Sequence, residues 1–448
     1  MLSPPAARFA GLVAVQLVAL SVGFFVVDRQ RLPLVWAGCI AAAVVPWIVV
    51  CRAVLTGTRA PSLVQVLAAG VALRALAAFA PVGVLSDDIW RYVWEGRVQL
   101  QGHNPFLEAP AELAEVGTGD PVWQRLNNPE TPAAYPPVGQ LFLRLVASTG
   151  GGATTFRLAF LVCDLATMFL LAAWLARTGR RPALACFHAL CPLVVAELCA
   201  EGHNDALAIM LMVACFAVFG RSPQARNAVA AGVLLGLAGA AKFLPLVVLP
   251  WLVRRDRRVA VPCVLAFVAS YIPFWHGFER VPEMFEGLVQ YGARWRHNDS
   301  IFAAVIGATE WLQGQLRWLA RFEAQRLSKL PLALFFVLAT VWIFRREREP
   351  SHAFVLLLVP VFALAPTLHP WYVCWVVPFL AVKPLPAHFA LIALVSLSYH
   401  VLARFHHGDG VWQEDPWLKL AGYVPFYGLL VFSALRARVS PVAPPPTH

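Results

Sequence analysis

The sequence predicts an all-α polytopic integral membrane protein: a helical bundle of about 12–14 membrane helices with an outer loop bearing short interfacial helices. Three observations carry that expectation. Of 448 residues, 59% are hydrophobic and only 14% charged, whereas an ordinary soluble domain is about a quarter charged. Apolar runs of about 17–25 residues, long enough to cross the hydrocarbon layer, recur from end to end. The 16 Trp and 29 Phe suit a bundle with aromatic belts at its interfaces. A disordered chain, a soluble multidomain enzyme and a disulfide scaffold are excluded.

Taken in order, the runs 8–27 and 33–51 read as a pair of spans, followed by 61–84. The first begins directly after Met1–Ala7 and reads as a membrane helix rather than a cleavable signal peptide. Next come 155–176, 182–199 and 205–220. The stretch 227–241 with 243–253 reads as a hairpin turning at Lys242, and 259–275, 330–345 and 352–368 follow. The segment 371–382 is too short to cross as a straight helix. The spans 386–403 and 418–436 close the series, while 136–150 and 301–325 are expected to lie on the outer face without crossing. The chain thus reads as one multi-spanning domain over 1–436, with outer segments 86–150 and 277–329 and a Pro-rich cytoplasmic tail, 437–448.

The net charge of +11 is informative only once it is located. Arg52 and Arg59, Arg177 to Arg181, Arg221 and Arg226, Arg254 to Arg258, Arg345 to Arg348, and Arg436 with Arg438 all lie in short connections or at the C-terminal end. Placing every cluster in the cytoplasm gives one consistent topology with both termini inside. The basic surplus is therefore a topology signal, and no nucleic-acid partner is expected. The nine Cys fall within or at the edge of apolar segments without a C-x-x-C pair, so neither disulfides nor zinc is indicated.

The same topology gathers the interesting polar residues on the outer side. Segment 86–135 opens with Ser86-Asp87-Asp88 and carries eight acids against three bases. In a helix, Arg91 would reach either aspartate, Asp88, Tyr92 and Glu95 would share a face, and Ile89, Trp90, Val93 and Trp94 would lie on the membrane. The acidic pair then reads either as a helix cap or as a general base with its orienting partner. Asp164, mid-helix, needs a partner such as Arg74 or Arg144, or a site role. Glu201-Gly202-His203-Asn204-Asp205 reads as a polar turn, with Asn204 or Asp205 capping the next helix or with groups suited to sugar hydroxyls, a phosphate or a divalent cation. No metal is assigned to it. Lys242, at the tip of a hairpin rich in small residues, either snorkels or presents its ammonium to an anion. Arg294, Arg296 and His297 extend the cationic theme, and His369-Pro370-Trp371-Tyr372 breaks a helix where irregular backbone belongs beside a cavity.

Six motifs occur in one order: Asp87-Asp88-x-x-Arg91-Tyr92-x-Trp94-Glu95-Gly96-Arg97, Gly102-x-Asn104-Pro105-Phe106, Tyr135-Pro136-Pro137, Glu201-Gly202-His203-Asn204-Asp205, Gly236-x-Ala238-x-x-x-Lys242 and His369-Pro370-Trp371-Tyr372. Together they resemble prokaryotic polyprenyl-phosphate-mannose-dependent alpha-mannosyltransferases of the GT-C glycosyltransferase superfamily (the family 87 and alpha-1,6-mannosyltransferase groups). The resemblance implies a GT-C-type bundle in the plasma membrane. It also implies transfer of a sugar from a polyprenyl-phosphate donor to a glycan or glycolipid acceptor on the extracytoplasmic face. No cofactor is expected, a divalent cation at the Glu201–Asp205 turn being the alternative. The family's first-loop base corresponds to Asp87 or Asp88, Asp87 being slightly preferred. Arg91, Tyr92, Glu95, Asn104, Tyr135, Glu201, His203, Asn204, Asp205, Lys242, Arg294, His369 and Tyr372 are expected around the substrates. Glu95 stands where many relatives carry Asp. The rival expectation is a transporter or flippase for a lipid-linked glycan, which calls for repeat symmetry and polar groups at mid-depth.

Overall fold

The computed structural model describes residues 4–220 and 224–439. It is helical throughout, with one isolated bridge between His297 and Thr367. The helices that matter below are α1 (Pro4–Phe25), α2 (Pro33–Thr56), α3 (Leu63–Ala78), α4 (Asp88–Leu100), α5 (Pro137–Ala147) and α6 (Ala153–Arg177). They are followed by α7 (Pro182–Ala189), α8 (Pro192–Glu201), α9 (Asp205–Phe219), α10 (Ala225–Ala241), α11 (Arg257–Phe274), α12 (Glu286–Arg294) and α13 (Ile301–Gln315). The last are α14 (Ala324–Arg346), α15 (Pro350–Leu364), α16 (Pro370–Leu380), α17 (Pro386–His407) and α18 (Pro416–Val439). Proline opens many of them, where its missing N–H has no helical partner to lose. The tail from 440 and Arg221 of the basic clusters lie outside the described residues.

Among the described residues, seven helices are long and apolar enough to cross a membrane, eight when bent α7–α8 counts as one. The expectation of 12 to 14 spans differs for a physical reason. Segments α3, α9, α10 and α15 are helical for only 16, 15, 17 and 15 residues, roughly 22–26 Å at 1.5 Å per residue. Their apolar runs stop short of the hydrocarbon thickness because 79–87, 202–204, 242–243 and 365–369 leave the helix, and these ends build the candidate site.

Helices α7 and α8 meet at 53° where Pro192 interrupts the run. Carbonyls freed by the break need donors inside the bundle. Gln16 Nε2 donates to Leu190 O at 2.9 Å, Trp47 Nε1 to Phe187 O at 3.0 Å, and the Arg74 guanidinium to Ala189 O at 2.5 Å. Arg74 Nε also donates to Asp164 Oδ2 at 2.7 Å, while His188 Nε2 and Cys199 Sγ approach Asp164 at 2.8 and 3.2 Å. Asp164 is therefore a structural partner of Arg74, and Arg144 is exposed. The nine cysteines are free thiols.

The interfacial seat expected for α4 is corrected. Ile89, Val93 and Trp94 are buried within the protein, and so are Arg91 and Glu95 on the other side. Gly96 allows this depth: a Cβ there would fall 2.5 Å from the Leu143 carbonyl of α5. Helices α10 and α11 approach in the same way, through Gly232 and Gly236 against the carbonyls of Val259 and Cys263.

The basic clusters collect at the helix ends remote from the site. Arg181 bonds Val54 O at the end of α2, Arg177 bonds Ala217 O at the end of α9, and Arg254 reaches Glu347 O beyond α14. By contrast, the N-terminal end of α6 meets the Gly202 turn, where Arg157 packs against Gly202 and bonds the carbonyls of Ala78 and Ala80.

Candidate active site

The turn after α8 is built by a π-helical stretch, Val195–Glu201, that ends on Gly202 at φ +83°. A Cβ at Gly202 would lie 3.0 Å from Arg157 Cα, so both conformation and space call for glycine. Extra-wide turns of this kind recur at functional sites because they re-aim the residues that follow. Here they send His203, Asn204 and Asp205 inward, all buried.

Asp205 does not cap its helix. Its Oδ1 accepts from Trp375 Nε1 at 2.7 Å, and its Oδ2 lies 3.1 Å from Lys242 Nζ. Lys242 terminates α10 in an extended conformation, with its ammonium 4.6 Å from the Tyr135 ring centroid and 5.7 Å from that of Tyr372. An ammonium facing two aromatic rings and one carboxylate is held as a fixed charge. The Tyr372 hydroxyl pairs with that of Tyr291 at 2.5 Å.

Across from Lys242 stand the adjacent aspartates. Asp88 Oδ2 accepts from the Tyr135 hydroxyl at 3.0 Å and the Tyr92 hydroxyl at 3.3 Å, and lies 3.9 Å from His203 Nδ1. Asp87 occupies the cap position of α4 but its carboxylate caps nothing, so the capping reading fails. Burial pushes both carboxyls above their usual range. For Asp87, Asp88 and Glu201 reinforce that effect, while His406 and Arg125 oppose it. For Asp88, Lys242 and the hydroxyls oppose it. Burial and the Lys242 charge hold His203 well below the ordinary histidine value, so its imidazole is neutral at pH 7. Its ring stacks on Trp371 at 3.8 Å, and Trp371 stacks on His369 at 4.2 Å.

These groups surround a cavity of about 1060 Å³. Asp87, Asp88, Arg91, Glu95, Tyr135, Asp205, Lys242, Arg294, His369 and Tyr372 all line it. Part of the wall is apolar, including Phe243, Leu244, Val361 and Phe362. The remaining expected residues are placed differently. Tyr92 reaches the cavity's edge only through Asp88, and His203 and Asn204 sit behind Trp371 and Asp205. Asn104 is a pin between loops, donating to Phe274 O at 3.0 Å and accepting from Phe106 N at 3.1 Å. Glu201 is ion-paired with Arg29 and accepts the amides of Val84 and Leu85 at 3.1 and 3.0 Å, which fixes the strand of chain leading into Asp87.

One pairing differs from the sequence expectation. Arg91 turns away from the aspartates to Glu95, at 2.6 Å, and to the carbonyls of Asn128 and Thr131. Glu95 in turn accepts from Gln140 Nε2 at 2.6 Å, so both line the cavity as parts of a structural clamp. Sequence reasoning missed Trp371, Trp375 and Tyr291 as site residues; the helix-breaking His-Pro-Trp-Tyr motif was the available signal for Trp371. It also missed Glu197, whose Oε2 accepts from Tyr399 at 2.8 Å and lies 3.6 Å from His203 Nε2. Among the described residues, no three His, Cys, Asp or Glu side chains converge as a metal site.

An acidic pair, a caged lysine and a part-apolar cavity are suited to handling a polar, anionic head that carries an apolar chain. Residues 10–255 match the family model described as alpha-(1->6)-mannopyranosyltransferase, N-terminal domain. No curated protein matches the chain. The matched segment is more than half of the sequence and contains Asp87, Asp88, Tyr135, Asp205 and Lys242. The chain therefore belongs to the alpha-(1→6)-mannopyranosyltransferase family, and it is a multi-pass membrane glycosyltransferase.

Proposed function

We propose that the protein transfers mannose from a polyprenyl-phosphate donor to a glycan or glycolipid acceptor on the extracytoplasmic face of the plasma membrane, with inversion. The observation that carries this reading is the placement of Asp87 and Lys242 on one cavity whose wall is partly apolar. A lipid donor explains why a polar site is built among membrane helices. The sidedness rests on the arginine clusters at the opposite helix ends, which the positive-inside tendency puts in the cytoplasm.

In the proposed step, the Asp87 carboxylate takes the acceptor hydroxyl proton as that oxygen attacks the anomeric carbon. The bond from that carbon to the donor phosphate breaks, its electron pair leaving with the phosphate. Asp87 suits the base because its carboxylate lines the cavity and accepts no hydrogen bond among the described residues. Asp88, held by two tyrosine hydroxyls, orients the neighbouring groups. Lys242 stabilises the charge growing on the leaving phosphate, a preorganised cation in a part-dry site. His203, being neutral, contributes packing and position rather than charge. The phosphate leaves as a stable anion, so no general acid is required, and no metal enters the step.

The test is a membrane assay with polyprenyl-phosphate-mannose and a synthetic mannoside, at matched expression. Asp87→Asn is expected to lower transfer by about 10²-fold or more, and Asp88→Asn to lower it less. Activity is expected to persist in EDTA. Wild-type rates in both variants would refute the catalytic assignment. Passage of the donor lipid across the membrane without glycoside formation would instead identify a transporter.

A further inference from the structure

Trp412 is an exposed tryptophan that lines the cavity. The other exposed tryptophans, Trp275, Trp311, Trp318, Trp342 and Trp417, do not line it and suit an interfacial belt. Trp412 also sits on an anchored segment. Its segment, 408–415, is anchored by Arg404 to Asp409 at 2.9 Å, by Asp415 N to His400 Nε2 at 2.7 Å, and by Glu414 to His297 at 2.9 Å and Lys419 at 2.7 Å. His297 and Phe405 meet the indole at 67° and 75°, with centroids 5.3 and 5.4 Å away. Phe405 adjoins His406, which lines the same cavity as Asp87.

We propose that Trp412 is the stacking platform for the acceptor glycan, holding a pyranose ring so that its hydroxyl meets Asp87. The inference rests on the mannosyl-transfer reading and deepens it by dividing the cavity between its two substrates. Lys242 and the adjoining Phe243 and Leu244 serve the phosphate and its apolar chain. Asp87, His406, Arg294 and Trp412, which line the same cavity, have the chemistry of a sugar site: an aromatic face for C–H groups and polar side chains for hydroxyls. Trp412 lies outside residues 10–255, so the family match does not assign it.

The test uses the full chain in lipid nanodiscs and two separate readouts: calorimetric binding of an α-1,6-linked mannobioside without donor, and consumption of polyprenyl-phosphate-mannose. Trp412→Ala is expected to weaken mannobioside binding, and to raise the acceptor KM, by roughly tenfold. The donor KM is expected to stay at the wild-type value. Trp412→Phe, which keeps an aromatic face, recovers part of the binding, and the belt control Trp417→Ala behaves as wild type. Binding and acceptor KM unchanged in Trp412→Ala would overturn the platform, as would a general loss shared by both tryptophan sites. If the wild type consumes no donor while Trp412→Ala still loses the mannobioside, the donor reading fails and the platform stands.

Discussion

At the scale of single residues, the site separates two aspartates that look equivalent in the sequence. Asp88 is held by Tyr92 and Tyr135, whereas Asp87 presents an unbonded carboxylate to the cavity. Burial raises both, which makes Asp87 a stronger base than an ordinary aspartate. The sign for activity follows directly. A base must be ionised, so activity falls as pH drops through its pKa, and a raised value moves that fall upward. The acid limb of kcat/KM is therefore expected at higher pH than the usual value of about 3.9. Because the neighbouring carboxyls interact, that limb belongs to the pair rather than to one residue. A pH–rate profile of the wild type checks it; a limb at the ordinary aspartate value would contradict the assignment. Glu201 shows the converse case. It looked like a substrate ligand in its motif, yet its partner is Arg29, distant in sequence, together with the amides that set the approach to Asp87.

At the scale of elements, the α7–α8 break is held by a buried polar network rather than by apolar packing alone. Arg74 satisfies the freed carbonyls and Asp164 neutralises Arg74, so removing the carboxylate leaves a buried, uncompensated guanidinium. Breaking a buried pair from one side costs about 3–5 kcal/mol. Asp164→Ala is thus expected to lower the yield of folded protein and the thermal transition in detergent sharply, whereas a change at exposed Arg144 has little effect. A thermal transition unchanged in Asp164→Ala would show that the network is dispensable. The break matters for function because α8 ends in the π-helical stretch and Gly202, which aim Asp205 at Lys242.

At the scale of the whole molecule, the cavity is assembled from segments far apart in sequence. The acidic segment and Lys242 come from the family-matched region, but Tyr291, Arg294, His369, Tyr372 and Trp412 come from beyond residue 255. The topology proposed from the arginine clusters is open to a direct test. Thr118 is exposed on the segment between α4 and α5. A cysteine placed there, in a background lacking the native thiols, is expected to react with a membrane-impermeant reagent added from outside intact cells. Reaction only after the cytoplasm is opened would reverse the orientation and with it the proposed face of catalysis.

Composition and periodicity were enough to make this a helical membrane protein, because hydrocarbon accepts only segments that satisfy their own backbone. The arginine clusters were enough to group the acidic pair, the Gly202 turn, Lys242 and the His369 motif on one side, since charge location along the chain is itself sequence information. Local pattern was not enough to choose partners. It paired Arg91 with the aspartates where the fold pairs it with Glu95, laid α4 on lipid where the fold buries it, and left Asp164 between two arginines. Those outcomes depend on which helices approach closely, and that was decided by tertiary contacts such as Gly96 against Leu143 and Glu201 against Arg29. The sequence determined which residues carry the chemistry; only the tertiary structure decided which of them face the cavity and which hold it open.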